Sequence, residues 1–153
     1  MAVNQLLRKM LTTSMLRPQV AYIAPTFGQA KRIAWSYCRE FAGANPDAKF
    51  HETELRIDLP AKERIWLLGA ENPDRLRGLY LDYVVLDEYA DIQERLFPEI
   101  IRPALAGRNG GALWLGTPRG NNHFGKFTRS LAKQVWRMIL SGMPVFTKYP
   151  IPV

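Results

Sequence analysis

Tyr83-Val-Val-Leu86 is the most apolar and β-prone run in the chain, and it ends abruptly in two adjacent carboxylates, Asp87 and Glu88. A run with no polar alternation must be buried on both faces, as a central strand of a parallel sheet covered by helices is. A second such run, residues 112–115, ends in Gly116-Thr117-Pro118, and residues 20–24 form a third that is closed by Pro25. Helical periodicity lies around and between them. Val3, Leu6, Leu7, Met10 and Leu11 follow i, i+3, i+4, i+7, i+8. Phe27, Ala30, Ala34, Tyr37, Cys38 and Phe41 line one face of a helix that starts at the capping box Thr26-Phe-Gly-Gln29 and stops near Gly43 and Pro46.

The remaining segments fit the same plan. Alternation over residues 54–59, a turn at 60–63 and an apolar run at 64–70 predict a hairpin with a half-exposed edge. Residues 72–78 read as a polar connection, and residues 92–105 as a helical pattern interrupted by Pro98 and Pro103. Phe124, Phe127, Thr128 and Leu131 predict a further helix, followed by a strand at 135–140. All four tryptophans, Trp35, Trp66, Trp114 and Trp136, are expected against the core. The expected fold is α/β, a largely parallel sheet with helices on both faces, and ligands belong at the carboxyl ends of its strands. Those ends carry Pro25-Thr26, Asp87-Glu88 and Gly116-Thr117.

Composition narrows the class. A chain of 153 residues makes one domain, and 47% hydrophobic residues supply a core, which excludes a disordered protein. The lone Cys38 excludes an intrachain disulfide, and without a Cys/His cluster any metal must be held by oxygen. Arg8 and Lys9 interrupt what would be a signal peptide, and no run approaches a membrane span, so a cytoplasmic protein is expected. The formal charge of +7 is compatible with a polyanionic partner, but the basic residues are dispersed and equally suit a solvated surface.

An apolar strand ending in Asp87-Glu88 suits phosphoanhydride hydrolysis, in which Asp87 holds a hydrated Mg²⁺ and Glu88 polarises the attacking water. Two solvated residues at the start of a loop are the plain alternative. The Thr117 hydroxyl and the amides beside Gly116 could sense a γ-phosphate at the neighbouring strand end; an ordinary Gly-Pro turn is the alternative there. Arg75, Arg77 and Arg119 lie on loops near that end, where each could touch a phosphate or act in trans as a finger on a neighbouring subunit.

Taken in order, Tyr22-Ile-Ala-Pro25, Asn72-Pro-Asp-Arg-Leu-Arg77-Gly78, Tyr83-Val-Val-Leu-Asp87-Glu88-Tyr89-Ala90-Asp91 and Gly116-Thr117-Pro118-Arg119-Gly120 resemble the ATPase domain of a tailed-phage terminase large subunit over residues 1–140. The resemblance implies an additional-strand, RecA-like P-loop fold. It implies hydrolysis of Mg²⁺-ATP and translocation of double-stranded DNA into a procapsid in the bacterial host cytoplasm, with the terminase small subunit and the portal as partners and a homo-oligomer as one implied state. Asp87 then matches the Walker B metal ligand, Glu88 the catalytic carboxylate, and Gly116, Thr117 and Pro118 the coupling motif.

Two departures are expected. The family's phosphate loop falls ahead of the helix that opens this chain, so the fold should be incomplete at the amino terminus, no Walker A residues can be assigned, and the sheet should have a gap in its middle. Residues 141–153 match nothing in the family, and no nuclease residues can be assigned. Gly120-Asn-Asn-His-Phe-Gly125-Lys126 satisfies the spacing of a phosphate loop, but Phe127 stands where Ser or Thr is needed and the segment follows the Asp-Glu strand, so Lys126 is expected on a helix surface. A noncatalytic DNA-binding or assembly module on the same fold is the alternative to a motor, to be separated from it by the upstream reading frame. A metal-dependent nuclease cluster of Asp87, Glu88 and Asp91 is a third reading.

Overall fold

The structure, a computed structural model, describes residues 2–117 and 122–130. Two compact units divide between Gly116 and Thr117. The first contains helix α1 (Ala2–Thr12), strand β1 (Gln19–Ala24), helix α2 (Phe27–Ala30), a π-helical turn (Lys31–Trp35) and helix α3 (Ser36–Gly43). Strands β2 (Lys49–His51), β3 (Arg56–Asp58), β4 (Arg64–Gly69) and β5 (Tyr83–Leu86) follow, then helix α4 (Arg102–Ala106) and strand β6 (Gly111–Trp114). In the second unit, residues 123–130 are helical.

The six strands form one sheet in the order β2-β3-β4-β1-β5-β6. The β4, β1, β5 and β6 neighbours run parallel, while β2 and β3 pair antiparallel at the other side. The expected α/β fold is therefore present. The gap expected in the middle of the sheet is not: among the described residues the strands are contiguous, and β6 ends the series.

Register assigns the two faces. Val20, Tyr22 and Ala24, with Ile65, Leu67, Tyr83 and Val85, pack with Val3, Leu6, Leu7 and Met10 of α1 and with Ala30, Ala34, Trp35 and Cys38. Ala21, Ile23, Val84 and Leu86 point the other way and are also fully buried. Register continues that face to Ala112 and Trp114, and Trp114 meets Phe97 edge to face at 4.9 Å, which places the segment leading into α4 on this side. Burial on both sides is why β1 and β5 read as unbroken apolar runs.

The capping box forms as the sequence indicates. Thr26 Oγ1 accepts from the Gln29 N–H at 3.2 Å, and Gln29 Oε1 accepts from the Thr26 N–H at 3.1 Å. The helix face after it differs from expectation. The π-helical turn at Lys31–Trp35 inserts about one extra residue, which rotates later positions by roughly 100°. Trp35 is thereby buried, with its Nε1–H donated to Glu52 at 2.9 Å, whereas Tyr37, expected in the core, is 61% exposed. Leu11, at the far end of the α1 stripe, is also exposed. Helical structure continues through Pro98 and Pro103: Pro98 lies in the first turn, where a missing N–H has no consequence, and Pro103 follows directly on a π-helical turn at Phe97–Ile101. Trp66 is half-buried, not a core residue, and its ring is flanked by the guanidinium groups of Arg56 and Arg64 at 5.4 and 5.3 Å. Trp136 and the strand expected at 135–140 lie outside the described residues.

Candidate functional site at the carboxyl ends of the strands

Because four adjacent strands are parallel, their carboxyl ends share one edge of the sheet. Asp87 is the first residue past β5; its N–H continues the ladder to the Ile23 carbonyl at 2.8 Å, and its side chain is half-buried. Both carboxylate oxygens have partners within the chain. Oδ1 accepts from the Glu88 N–H at 3.0 Å, and Oδ2 accepts from the phenol of Tyr22, which rises from the middle of β1. Burial, then the hydrogen bond and charge of Asp87, push the Tyr22 phenol far above its ordinary value, so it stays a donor. The sequence motif contains Tyr22, but nothing in the sequence indicates contact across 65 positions.

A cavity of about 220 Å³ opens beside this pair, lined by the start of α1 (Ala2, Val3, Asn4) and by Ile33, Tyr37, Tyr22 and Asp87. Tyr37 reaches the site because of the π-helical turn. Asp87 is the sole ionisable carboxylate among these lining residues. One or two carboxylates with water and substrate phosphates suit Mg²⁺, which is seldom enclosed by protein ligands alone, so Asp87 and Glu88 fit that ion. Among the described residues no group of three or more His, Cys, Asp and Glu side chains is placed to hold a metal. Asp87, Glu88 and Asp91 therefore do not form the nuclease-type cluster.

Glu88 is exposed and adopts a left-handed backbone (φ 47°, ψ 45°), an uncommon conformation for a non-glycine residue. The neighbouring strand end is pressed against it. Leu115 donates its N–H to Leu86 O and accepts from the Tyr89 N–H, both at 2.9 Å. Gly116 has φ 134°, and a Cβ there would lie 3.1 Å from Tyr89 N and 3.2 Å from Glu88 Cα. Thus the residue pair after β5 and the turn after β6 share backbone contacts. Thr117 is exposed and opens the second unit; Pro118 and Arg119 lie outside the described residues.

Glu71 also occupies this edge, and the sequence reading missed it. Its carboxylate accepts from the Phe27 N–H at 3.0 and 3.1 Å, so it caps the start of α2 from 44 residues away. Gly69 makes room for it: a Cβ there would stand 1.9 Å from Glu71 Oε2 and 2.3 Å from Phe27 N. Arg77 is exposed and bound in an ion-pair network, 3.0 Å from Asp74 and 3.9 Å from Glu99, with Arg95 bridging the same two carboxylates at 3.0 and 3.8 Å. It is not among the residues lining the Asp87 cavity. Arg75 is exposed as well.

The spacing that mimics a phosphate loop is accounted for differently. Asn122 Oδ1 accepts from the Gly125 N–H and Asn122 O from the Lys126 N–H, both at 2.9 Å, so these amides serve a helix start.

The mostly parallel six-stranded sheet has the RecA-like α/β fold of phage large terminase ATPase domains. No protein-family profile matches the chain. It is 48% identical over 82 residues to the terminase large subunit of Thermus phage G20c, a stretch that covers 50% of this chain and 17% of that one. The ATPase domain of the Thermus phage P74-26 large terminase superposes with a TM-score of 0.65 at 30% identity, over 78% of this chain and 55% of that domain. The large terminase of bacteriophage HK97 has the same fold, with a TM-score of 0.70 at 18% identity over 86% of this chain and 29% of that one. The chain is a homologue of phage terminase large subunits, over their ATPase domain. It spans about a sixth of the length of the curated relative and just over half of the solved ATPase domain.

Proposed function

We propose that this segment carries the acidic half of an ATP-hydrolysing centre in a motor that packages double-stranded DNA into a phage procapsid. The observation that supports it most directly is the Tyr22–Asp87–Glu88 arrangement at the carboxyl edge, against the Gly116 turn. Mg²⁺-ATP, when bound, supplies a phosphoanhydride whose developing charge the ion offsets. Asp87, oriented by the Tyr22 phenol and the Glu88 amide, is the residue that would hold the ion. Glu88, exposed on a left-handed turn, orients and polarises water. Leu115 and Gly116 touch the same backbone, so a displacement of Glu88 is felt at the β6 end and at Thr117 beyond it in sequence. Arg77, once released from Asp74, is a candidate for a phosphate contact or for action in trans within a homo-oligomer, and Arg119 is another. Such a motor would work with a terminase small subunit and a portal in the host cytoplasm; no helix among the described residues is long and apolar enough to cross a membrane.

The test is a chimera in which this segment replaces the matching segment of the Thermus phage G20c subunit. Glu88→Gln should lower turnover by about 100-fold or more and leave nucleotide binding unchanged, because an amide keeps the size but not the basicity. Turnover equal to the unsubstituted chimera would remove Glu88 from the chemistry.

A further inference from the structure

We propose that the cation-lined depression at the amino ends of the strands, opposite the carboxylate edge, grips the phosphodiester backbone of double-stranded DNA without reading its sequence. The inference rests on the DNA-packaging reading and names the surface that would serve it. The depression measures about 440 Å³ and is lined by Arg17, Lys49, Lys62 and Arg64, with Asp47 and Asp58 as its carboxylates and Tyr80 in its wall.

The lining carries an excess of positive charge, and its ion pairs are confined to Asp58. Register sets Lys49, Asp58 and Arg64 in one rank across β2, β3 and β4. Asp58 is paired: it accepts from Arg64, which lines the same hollow, at 2.6 Å and from Arg56 at 3.2 Å, and it lies 3.0 Å from His51. Among the described residues no carboxylate lies within 4.0 Å of the Arg17, Lys49 or Lys62 side-chain cations. Three cations without an ion pair, against Asp47 as the one lining carboxylate without one, form a site for more than one anionic group at once.

Shape selects which anion. Among the described residues the hollow is lined by strand ends and loops and not by a helix that could enter a groove to read base edges, so a duplex rides over it with phosphates turned inward. Tyr80, 50% exposed, adds an amphipathic wall. Position also fits a motor. β1 begins at Gln19 in this hollow and ends at Ala24 on the carboxylate edge, a span of about 17 Å, so DNA and nucleotide occupy opposite edges of one sheet without competing.

The experiment measures binding of the 153-residue chain to two unrelated 30-base-pair duplexes by fluorescence anisotropy over a salt series. Lys49→Glu with Lys62→Glu should weaken binding at low salt at least tenfold on both duplexes and reduce the salt slope by about 2. Lys31→Glu with Arg32→Glu changes the net charge equally on a distant helix and should weaken binding less than threefold. Lysine acetylation read by mass spectrometry needs no variant: duplex should protect Lys49 and Lys62 and leave Lys31 reactive. Equal loss in both variants, or acetylation unaffected by DNA, overturns the hollow as the grip while leaving DNA binding intact. Wild-type chain that binds no duplex at the lowest salt overturns the DNA reading and the grip together.

Discussion

The two sides of β4 show how one sheet supports two kinds of surface. Toward β1, the sheet is parallel, covered on both faces, and ends in a carboxylate edge whose members hydrogen-bond to one another. Toward β3 and β2, it is antiparallel; Phe50, Ile57 and Ile65 pack into the core while Lys49, Asp58 and Arg64 share the opposite face. The parallel side fixes side chains by burial. The antiparallel side holds them by charge, and leaves several free to meet something else. A site for chemistry needs the first kind of surface, and a site that grips any stretch of a polyanion needs the second.

Adjacent residues of β4 test that contrast most severely. Ile65 is fully buried, and Ile65→Ala should lower unfolding free energy by about 3 kcal/mol, through lost transfer energy and a cavity under α1 and α3. Arg64, on the opposite face with its side chain 36% exposed, contributes an ion pair to Asp58 and a stacking contact with Trp66. Arg64→Ala should cost about 1 kcal/mol or less. Urea midpoints for the two variants measure the difference directly, and comparable losses would mean that the antiparallel face is as tightly packed as the core.

A smaller effect should sharpen the description of the carboxylate edge. Gly116→Ala forces a side chain into a conformation at φ 134° that only glycine adopts readily, and sets its Cβ against Tyr89 N and Glu88 Cα. The expected loss is about 2 kcal/mol. Because Leu115 O holds the Tyr89 N–H, amide exchange at Tyr89 should accelerate more than exchange at Val20 in the middle of the sheet. Uniform acceleration would mean that the turn and the Asp87-Glu88 backbone do not act as one local unit.

What the sequence shows and what it hides follows the same division. Residues 83–86 announce a central strand because burial on both faces removes alternation, and Thr26 and Gln29 announce a helix start because the capping box is local. The convergence of the Asp87 and Gly116 strand ends follows from parallel neighbours. The π-helical turn at Lys31–Trp35 is invisible to a 3.6-residue period, so Tyr37 is misread as core when it borders the Asp87 cavity. β2 is three residues long, too short for alternation to register. The Tyr22–Asp87 and Glu71–Phe27 contacts join residues 65 and 44 positions apart, and only a folded sheet brings them together.

The smallest expected effect isolates the charge-held side. Burial alone would raise the Asp58 carboxyl, but the Arg64 hydrogen bond and the charges of Arg64, Arg56 and His51 outweigh it and hold the group below the ordinary carboxylate range. A folded-state value below the unfolded one means that the unfolded chain binds the proton first as pH falls. The contribution to stability is then complete well above the unfolded value of about 3.9 and is lost as pH drops through the lower folded value. Asp58→Asn, which retains shape and some hydrogen bonding, should therefore be less stable than wild type at pH 7 by no more than about 1 kcal/mol. The gap should begin to close near pH 5 and go on closing as pH falls through the lowered folded value, below which both chains carry a neutral group. Urea midpoints at pH 7, 4 and 2 read the trend. A gap of the same size at all three pH values would show that Asp58 acts through packing and not through charge, and would make the antiparallel face resemble the parallel one after all.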